Sequence, residues 1–352
     1  MSKAAELASL ASASETALSN RNIVINGAMQ ISQRATSVTG IGASAGYFTL
    51  DRFDMYFSGT AGRLTMSQDS DAPEGFGNSL KLDCTTADTS IAAGEVAMLQ
   101  YQVEGQDLQQ LKKGTSNAEK VTVSFYVKGN ANATYTLELQ DNDNSRHIAQ
   151  TFNVTTSWNR VSLTFAGDTT GAFDDDNACS LRVQIYLQAG STYTSGTFTS
   201  NTWSAITNAN TVKSDQTMFF DSTARTLSIT GLQMEVSPVV TPFEHRLVGQ
   251  ELALCQRYYQ TINPKVNAIF AAGYQNNSER ISQVHRLGVE MRTEPTCTVS
   301  GTWTVSGCDQ PVFTSFSKNV VSTHILKSGG SAGSAYYHAN GTDDFFSMDA
   351  EL

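Results

Sequence analysis

The chain has 352 residues, more than a single domain usually holds. Charged residues make up 16% and hydrophobic residues 40%, with Thr, Ser, Asn, Gln and Gly filling most of the rest. Lys plus Arg number 23 against 33 Asp plus Glu, a formal charge of −10, and no basic cluster occurs, which argues against nucleic-acid binding.

The opening MSKAAELASLASASETALS places Leu7, Leu10 and Leu18 near one helical face, interrupted by Ser and Glu. Residues 1–20 therefore read as a short attachment helix, or as a frayed tail, since so short a helix needs a partner. The stretch lacks the continuous apolar core of a signal peptide, and the chain has no run of 18 apolar residues. The expectation is a chain made in a cytoplasm, without membrane insertion.

From Ile23 the texture is that of strands. VTVSFYVKG (121–129), TYTLELQD (134–141), RVSLTFAG (160–167), SLRVQIYLQAG (180–190) and TLSITGLQMEV (226–236) alternate apolar with polar residues, and Gly, Asn and Asp cluster between them. Short strands without intervening amphipathic helices predict an all-β antiparallel jelly-roll β-sandwich over residues 21–246. Pro238 and Pro242 then break the ladder. QELALCQRYYQ (250–260) carries helical spacing, which predicts a short helical connector over 247–263. Strand texture returns in NAIFAAGYQ (267–275), CTVSGTWTVSG (297–307) and HILKSGGSAGSAYYHA (324–339), predicting a second, smaller β-sandwich over 264–352.

The five cysteines, Cys84, Cys179, Cys255, Cys297 and Cys308, contain no CxxC and no spacing suited to a thiolate metal site. Cys297 and Cys308 are the one pair placed to face each other across a hairpin, but free, buried thiols are the expectation for a chain made in a cytoplasm.

The phrases NRNIVINGAMQISQRATS, LDRF (50–53), TTSWNRVSLTFAGDTTGAF (155–173), LQAGSTYTSGTF (187–198), ITGLQMEVSPVVTPFEHR, ELALCQRYY and the terminal MDAEL resemble, in order, a family of phage virion proteins. These are tail-fibre or receptor-binding proteins of marine and cyanobacterial phages. Thr155, Trp158, Leu163, Thr164 and Phe165, with the closing ITGLQMEV strand, also resemble jelly-roll carbohydrate-binding modules. The resemblances imply a homotrimeric virion appendage that contacts other tail or adaptor proteins and presents a surface to host glycan. A decoration or connector protein binding only other virion proteins is the alternative, and a glycan-degrading enzyme a third.

No catalytic constellation stands out. His147, His245, His285, His324 and His338 lie in no HExxH or serine-elbow motif, and the acidic clusters fall in turns, which argues for a non-enzymatic protein. Asp141 and Asp143 in DNDN (141–144) offer oxygens for a structural calcium, with an Asx-rich turn as the plainer reading; no other cofactor is implied. Exposed aromatics are the candidates for glycan stacking: Tyr193 and Trp203 in the turn-rich span after 190, and Trp303, Tyr336 and Tyr337 near the C-terminus. Strand alternation would turn one of the last two outward. Trp158, ahead of an apolar strand, reads as core. Tyr258 and Tyr259 read as interface residues or as part of a core.

Overall fold

The computed structural model describes Lys3 and residues 20–275, 280–326 and 333–352. The expected N-terminal helix, with Leu7, Leu10 and Leu18, lies outside the described residues. The chain divides into two compact units, Met1–Val248 together with Leu352, and Gly249–Glu351. Among the described residues no helix is long and apolar enough to cross a membrane.

The first unit is an antiparallel β-sandwich. One sheet has six strands in the order β1 (Ser37–Ile41), β4 (Arg63–Asp69), β5 (Ser79–Thr86), β13 (Thr226–Val236), β7 (Val121–Gly129) and β10 (Asn159–Phe165). The other has seven, in the order β12 (Ser204–Ala205), β9 (Arg146–Val154), β8 (Ala133–Asp141), β11 (Cys179–Ala189), β6 (Val96–Glu104), β3 (Phe53–Ser58) and β2 (Gly46–Tyr47). The chain passes repeatedly from one sheet to the other, in jelly-roll fashion, so that Leu99, Phe125, Leu137, Phe152, Ile185 and Ile229 meet in one core between them. Burying such side chains contributes about 1.5–3 kcal/mol each.

Two of the phrases noted in the sequence turn out to hold each other. Asn22 in the N-terminal coil accepts hydrogen bonds through Oδ1 from the amides of Val24 and Met234, the latter on β13. The Glu244 carboxylate, beyond the prolines, accepts from the amides of Asn20 and Asn22 at 2.6 and 2.8 Å. β13 bulges at Gly231, where the register shifts between Thr230 and Gln233 and φ is +64°. A side chain there would strain the backbone and bring its Cβ to 2.7 Å from the Phe76 ring.

In the second unit, helix α2 (Val248–Gln256) is followed by β14 (Tyr259–Ile262), where the sequence suggested continued helix; α1 is the short Ser191–Thr194 turn of the first unit. Its strands form three antiparallel sheets of three: β14, β22 (Phe346–Asp349) and β17 (Thr296–Val299); β15 (Ile269–Gln275), β21 (Gly333–His338) and β18 (Thr304–Ser306); and β16 (Arg280–Arg286), β20 (Val320–Leu326) and β19 (Val312–Phe316). They surround a core in which Trp303 stacks on Phe346 at 4.5 Å between ring centroids and meets Tyr337 edge-on at 5.4 Å.

Candidate functional site

The outer face of the seven-stranded sheet carries the most organised polar surface of the first unit. On β3, β6, β8 and β11 the core takes alternate residues, such as Met55, Leu99, Leu139 and Val183, so the intervening ones point the other way. Pairing then aligns them in rows. Asp54 lies opposite Gln100, Gln100 opposite Gln184, and Gln184 opposite Glu138, which gives one transverse row over four neighbouring strands. With strands about 4.8 Å apart it runs roughly 14 Å. On one side lies the row Tyr56, Met98, Tyr186 and Thr136; on the other, Gln102, Arg182, Gln140, His147 and Ser204.

The first row, with Tyr56, Met98 and Tyr186 on one side and Gln102, Arg182 and Gln140 on the other, floors a cleft of about 610 Å³. Gln100 Nε2 donates to Gln184 Oε1 at 2.6 Å, and Gln184 Nε2 in turn donates to Gln140 Oε1 and to Glu138 Oε2. Glu138 also accepts from the Tyr186 hydroxyl at 2.9 Å and faces His147 Nδ1 at 2.7 Å. Burial, followed by the charge of Glu138, raises the Tyr186 phenol well above its ordinary pKa, so it stays a protonated donor. The network fixes which of these atoms donate and which accept.

Residues 190–211 wall the cleft on one side. Tyr193, Ile206, Asn208 and Thr211 line it, and the backbone of the segment is tied down at both ends and in the middle. The amide of Thr192 donates to Ala93 O, Asn201 to Ala149 O, Ile206 to Ser145 O and Val212 to Tyr193 O. Tyr193 packs beside Tyr186 with ring centroids 6.4 Å apart. Its phenol is raised by burial and by Tyr56.

The sequence-derived candidates scatter. Tyr193 is in the cleft. Trp203 instead packs against the sandwich core, donating its indole N–H to Ala166 O at 2.6 Å. Trp303 and Tyr337 are 2% and 1% exposed, which leaves no ring face for a sugar. Tyr336, the outward member of its pair, is half-buried and stacks on His338. Trp158 corrects the opposite way: it sits in the turn before β10, half-exposed, with its N–H on Asp71 Oδ1. Tyr258 and Tyr259 do not share a helix, since α2 ends at Gln256; both are buried, and Tyr259 pairs with Asp349 in the sheet.

Asp141 is buried, and a cation already stands beside it. The Lys113 ammonium lies 2.6 Å from Asp141 Oδ2 and 3.3 Å from Asp168 Oδ2, and donates to the carbonyls of Thr170 and Gly171 at 2.9 and 2.7 Å. Four oxygens of the kind calcium would take are thus engaged by a side chain. Asp143 is exposed and accepts from the amide of Asp174. Among the described residues no group of three or more His, Cys, Asp or Glu is placed to hold a metal ion.

No protein-family model matches the chain, and no curated protein matches it in sequence. Solved structures do. The enzymatically active domain of tailspike protein 4 of bacteriophage CBA120 is 12% identical with a TM-score of 0.32, over 62% of this chain. The match spans 22% of that tailspike's own length. The carbohydrate-binding module CBM4 is 13% identical with a TM-score of 0.31, over 60% of this chain and 98% of the module. A family 11 carbohydrate-binding module from Clostridium thermocellum, solved with a mixed-linked β-1,3-1,4 tetrasaccharide, is 11% identical with a TM-score of 0.30, over 59% and 99%.

Proposed function

We propose that the chain is a non-enzymatic virion appendage protein of the tail-fibre type, which adheres to host-surface glycan through the cleft on the seven-stranded sheet. The observation that carries this reading is the row Asp54, Gln100, Gln184 and Glu138 at the bottom of the cleft, 1–6% exposed, flanked by the more open rings of Tyr56 and Tyr193. Sugars offer closely spaced hydroxyls and apolar ring faces. Amides and carboxylates in fixed orientation answer the first, and tyrosine rings the second. Glu138 accepts from Gln184 and Tyr186 and is held against His147, an arrangement that orders a hydroxyl network rather than delivering a proton.

The virion part of the proposal is supported by the ordered phrase resemblance, whose first and fifth phrases clasp each other around Asn22 and Glu244. Weak sites on three copies of the chain would gain avidity from linkage. The partners are then two further copies, the tail or adaptor proteins that carry them, and the host glycan.

The test is titration of the purified chain with polysaccharides from the host envelope, with reducing-sugar release followed in the same samples. Saturable binding that is lost in Gln184→Ala, without release of reducing ends, is the expected outcome. Release would overturn the non-enzymatic reading. Failure to bind any host polysaccharide or intact host cells would remove adhesion and favour a connector that touches only virion proteins.

A further inference from the structure

The 190–211 segment has a second face. Opposite the cleft, Thr197, Thr199, Thr202, Ser204 and Asn210 close with His147 around a separate pocket of about 140 Å³. Hydroxyls dominate its lining, which holds no lysine or arginine, and Ala149 is the one apolar side chain among them. Asn210 is fixed by the amide of Thr197, which donates to its Oδ1 at 2.9 Å, so its NH₂ is left as a donor.

His147 joins the two faces. It is only 5% exposed, and its Nδ1 lies 2.7 Å from Glu138 on the cleft floor. Glu138 Oε2 accepts from Tyr186 while its Oε1 faces His147 Nδ1, so the carboxylate occupies that side of the imidazole ring. The other ring nitrogen, Nε2, has no hydrogen-bond partner among the described residues and is left for a partner in the pocket. A nearly buried ring nitrogen among hydroxyls, with no lysine or arginine to attract an anion and little apolar wall to attract a hydrocarbon, calls for a neutral ligand rich in hydroxyls.

We infer that this pocket is a second carbohydrate site, sized for one sugar ring, in which a sugar hydroxyl hydrogen-bonds with His147 Nε2 while the threonine hydroxyls and Asn210 meet its neighbours. The inference rests on the glycan reading for its ligand class, but it does not require the cleft to be occupied. At 140 Å³ against 610 Å³, the pocket takes a single ring where the cleft takes a chain.

Nitrogen-15 spectra of the His147 ring and ring signals of Tyr186, recorded on the full chain, separate the two sites. The probes are the methyl glycosides of glucose, galactose and mannose. The expected result is a saturable shift of His147 Nε2 with at least one of them, abolished by Thr199→Trp, which fills the pocket. Thr202→Tyr fills it from another position should the first variant fail to fold. If Nε2 stands still with all three sugars while Tyr186 responds, the cleft reading survives and the pocket inference is wrong. A His147 shift that persists in the filled variants is relayed from the cleft and also overturns it. If His147 responds and Tyr186 does not, the pocket stands whatever chain the cleft binds. If neither responds, the pocket inference falls.

Discussion

Lys113 and Asp141 form an ion pair of 2.6 Å with the two side chains 3% and 0% exposed. Breaking such a pair from one side leaves a buried charge without compensation, at about 3–5 kcal/mol. Lys113→Met should therefore lower the stability of the first unit by that amount in urea titrations. EDTA should leave the melting temperature of the wild type unchanged, because the cation binding these loops is covalently part of the chain.

The neighbouring Asp168 gives this cluster a pH signature. Burial raises its carboxyl, but the hydrogen bond from Arg146, the amide of Thr170 and the charge of Lys113 outweigh burial and hold it below the ordinary carboxylate value. Its contribution is fully present above the unfolded-chain value near 3.9 and is lost as pH falls through the lower folded one. Urea midpoints should thus drop below about pH 4 more steeply in the wild type than in Asp168→Asn.

Tyr56 is 40% exposed on the cleft rim and outside the hydrogen-bonded floor. Tyr56→Ala should change stability by less than about 0.5 kcal/mol. It should weaken glycan binding about tenfold, or roughly 1.4 kcal/mol, by isothermal titration. An unchanged affinity would exclude this ring from the binding surface.

The second unit separates two residues that the sequence groups together. Trp303→Ala empties the centre of its aromatic cluster and should cost about 3–5 kcal/mol. Tyr336→Ala, on the outward side of β21, should cost less than about 1 kcal/mol. Thermal unfolding of the two variants distinguishes them.

All five cysteines are free. Burial, with the nearby charge of Glu294, pushes the half-buried Cys297 thiol up to about 11, so at pH 8 only about one molecule in a thousand carries the reactive thiolate. Iodoacetamide at pH 8 should label the native chain at Cys297 far more slowly than the urea-unfolded chain, as read by peptide mass.

The strands most visible in the sequence, 121–129 and 226–236, are those whose alternation is clean, and both are present with those bounds. The cleft was harder to see because its residues sit one per position on β3, β6, β8 and β11, and only cross-strand register assembles them. A signal was nonetheless available. In SLRVQIYLQA the outward positions are Arg182, Gln184 and Tyr186, long recognition-type side chains where a merely solvated face would carry Thr, Ser or Lys. The aromatics in turns drew attention instead. Trp303 follows Gly301, whose φ of +77° and close approach to Asp344 bend the chain back. That bend carries the indole inward, and composition does not reveal it. The strand after α2 was equally hidden: QRYYQ has acceptable helix spacing, and only pairing with Phe346–Asp349 ends the helix at Gln256.

The 190–211 wall is held by its own backbone, through Gly196 to Ala209, Asn201 to Ala149 and Ile206 to Ser145. Its outward side chains are therefore released from structural duty. Positions 199, 206 and 208 sit on a rigid scaffold, where exchanging residues alters the surface while the sandwich beneath keeps its registration. On the adhesion reading proposed above, a changing target can be followed by substitution alone, without inserting, deleting or refolding a loop.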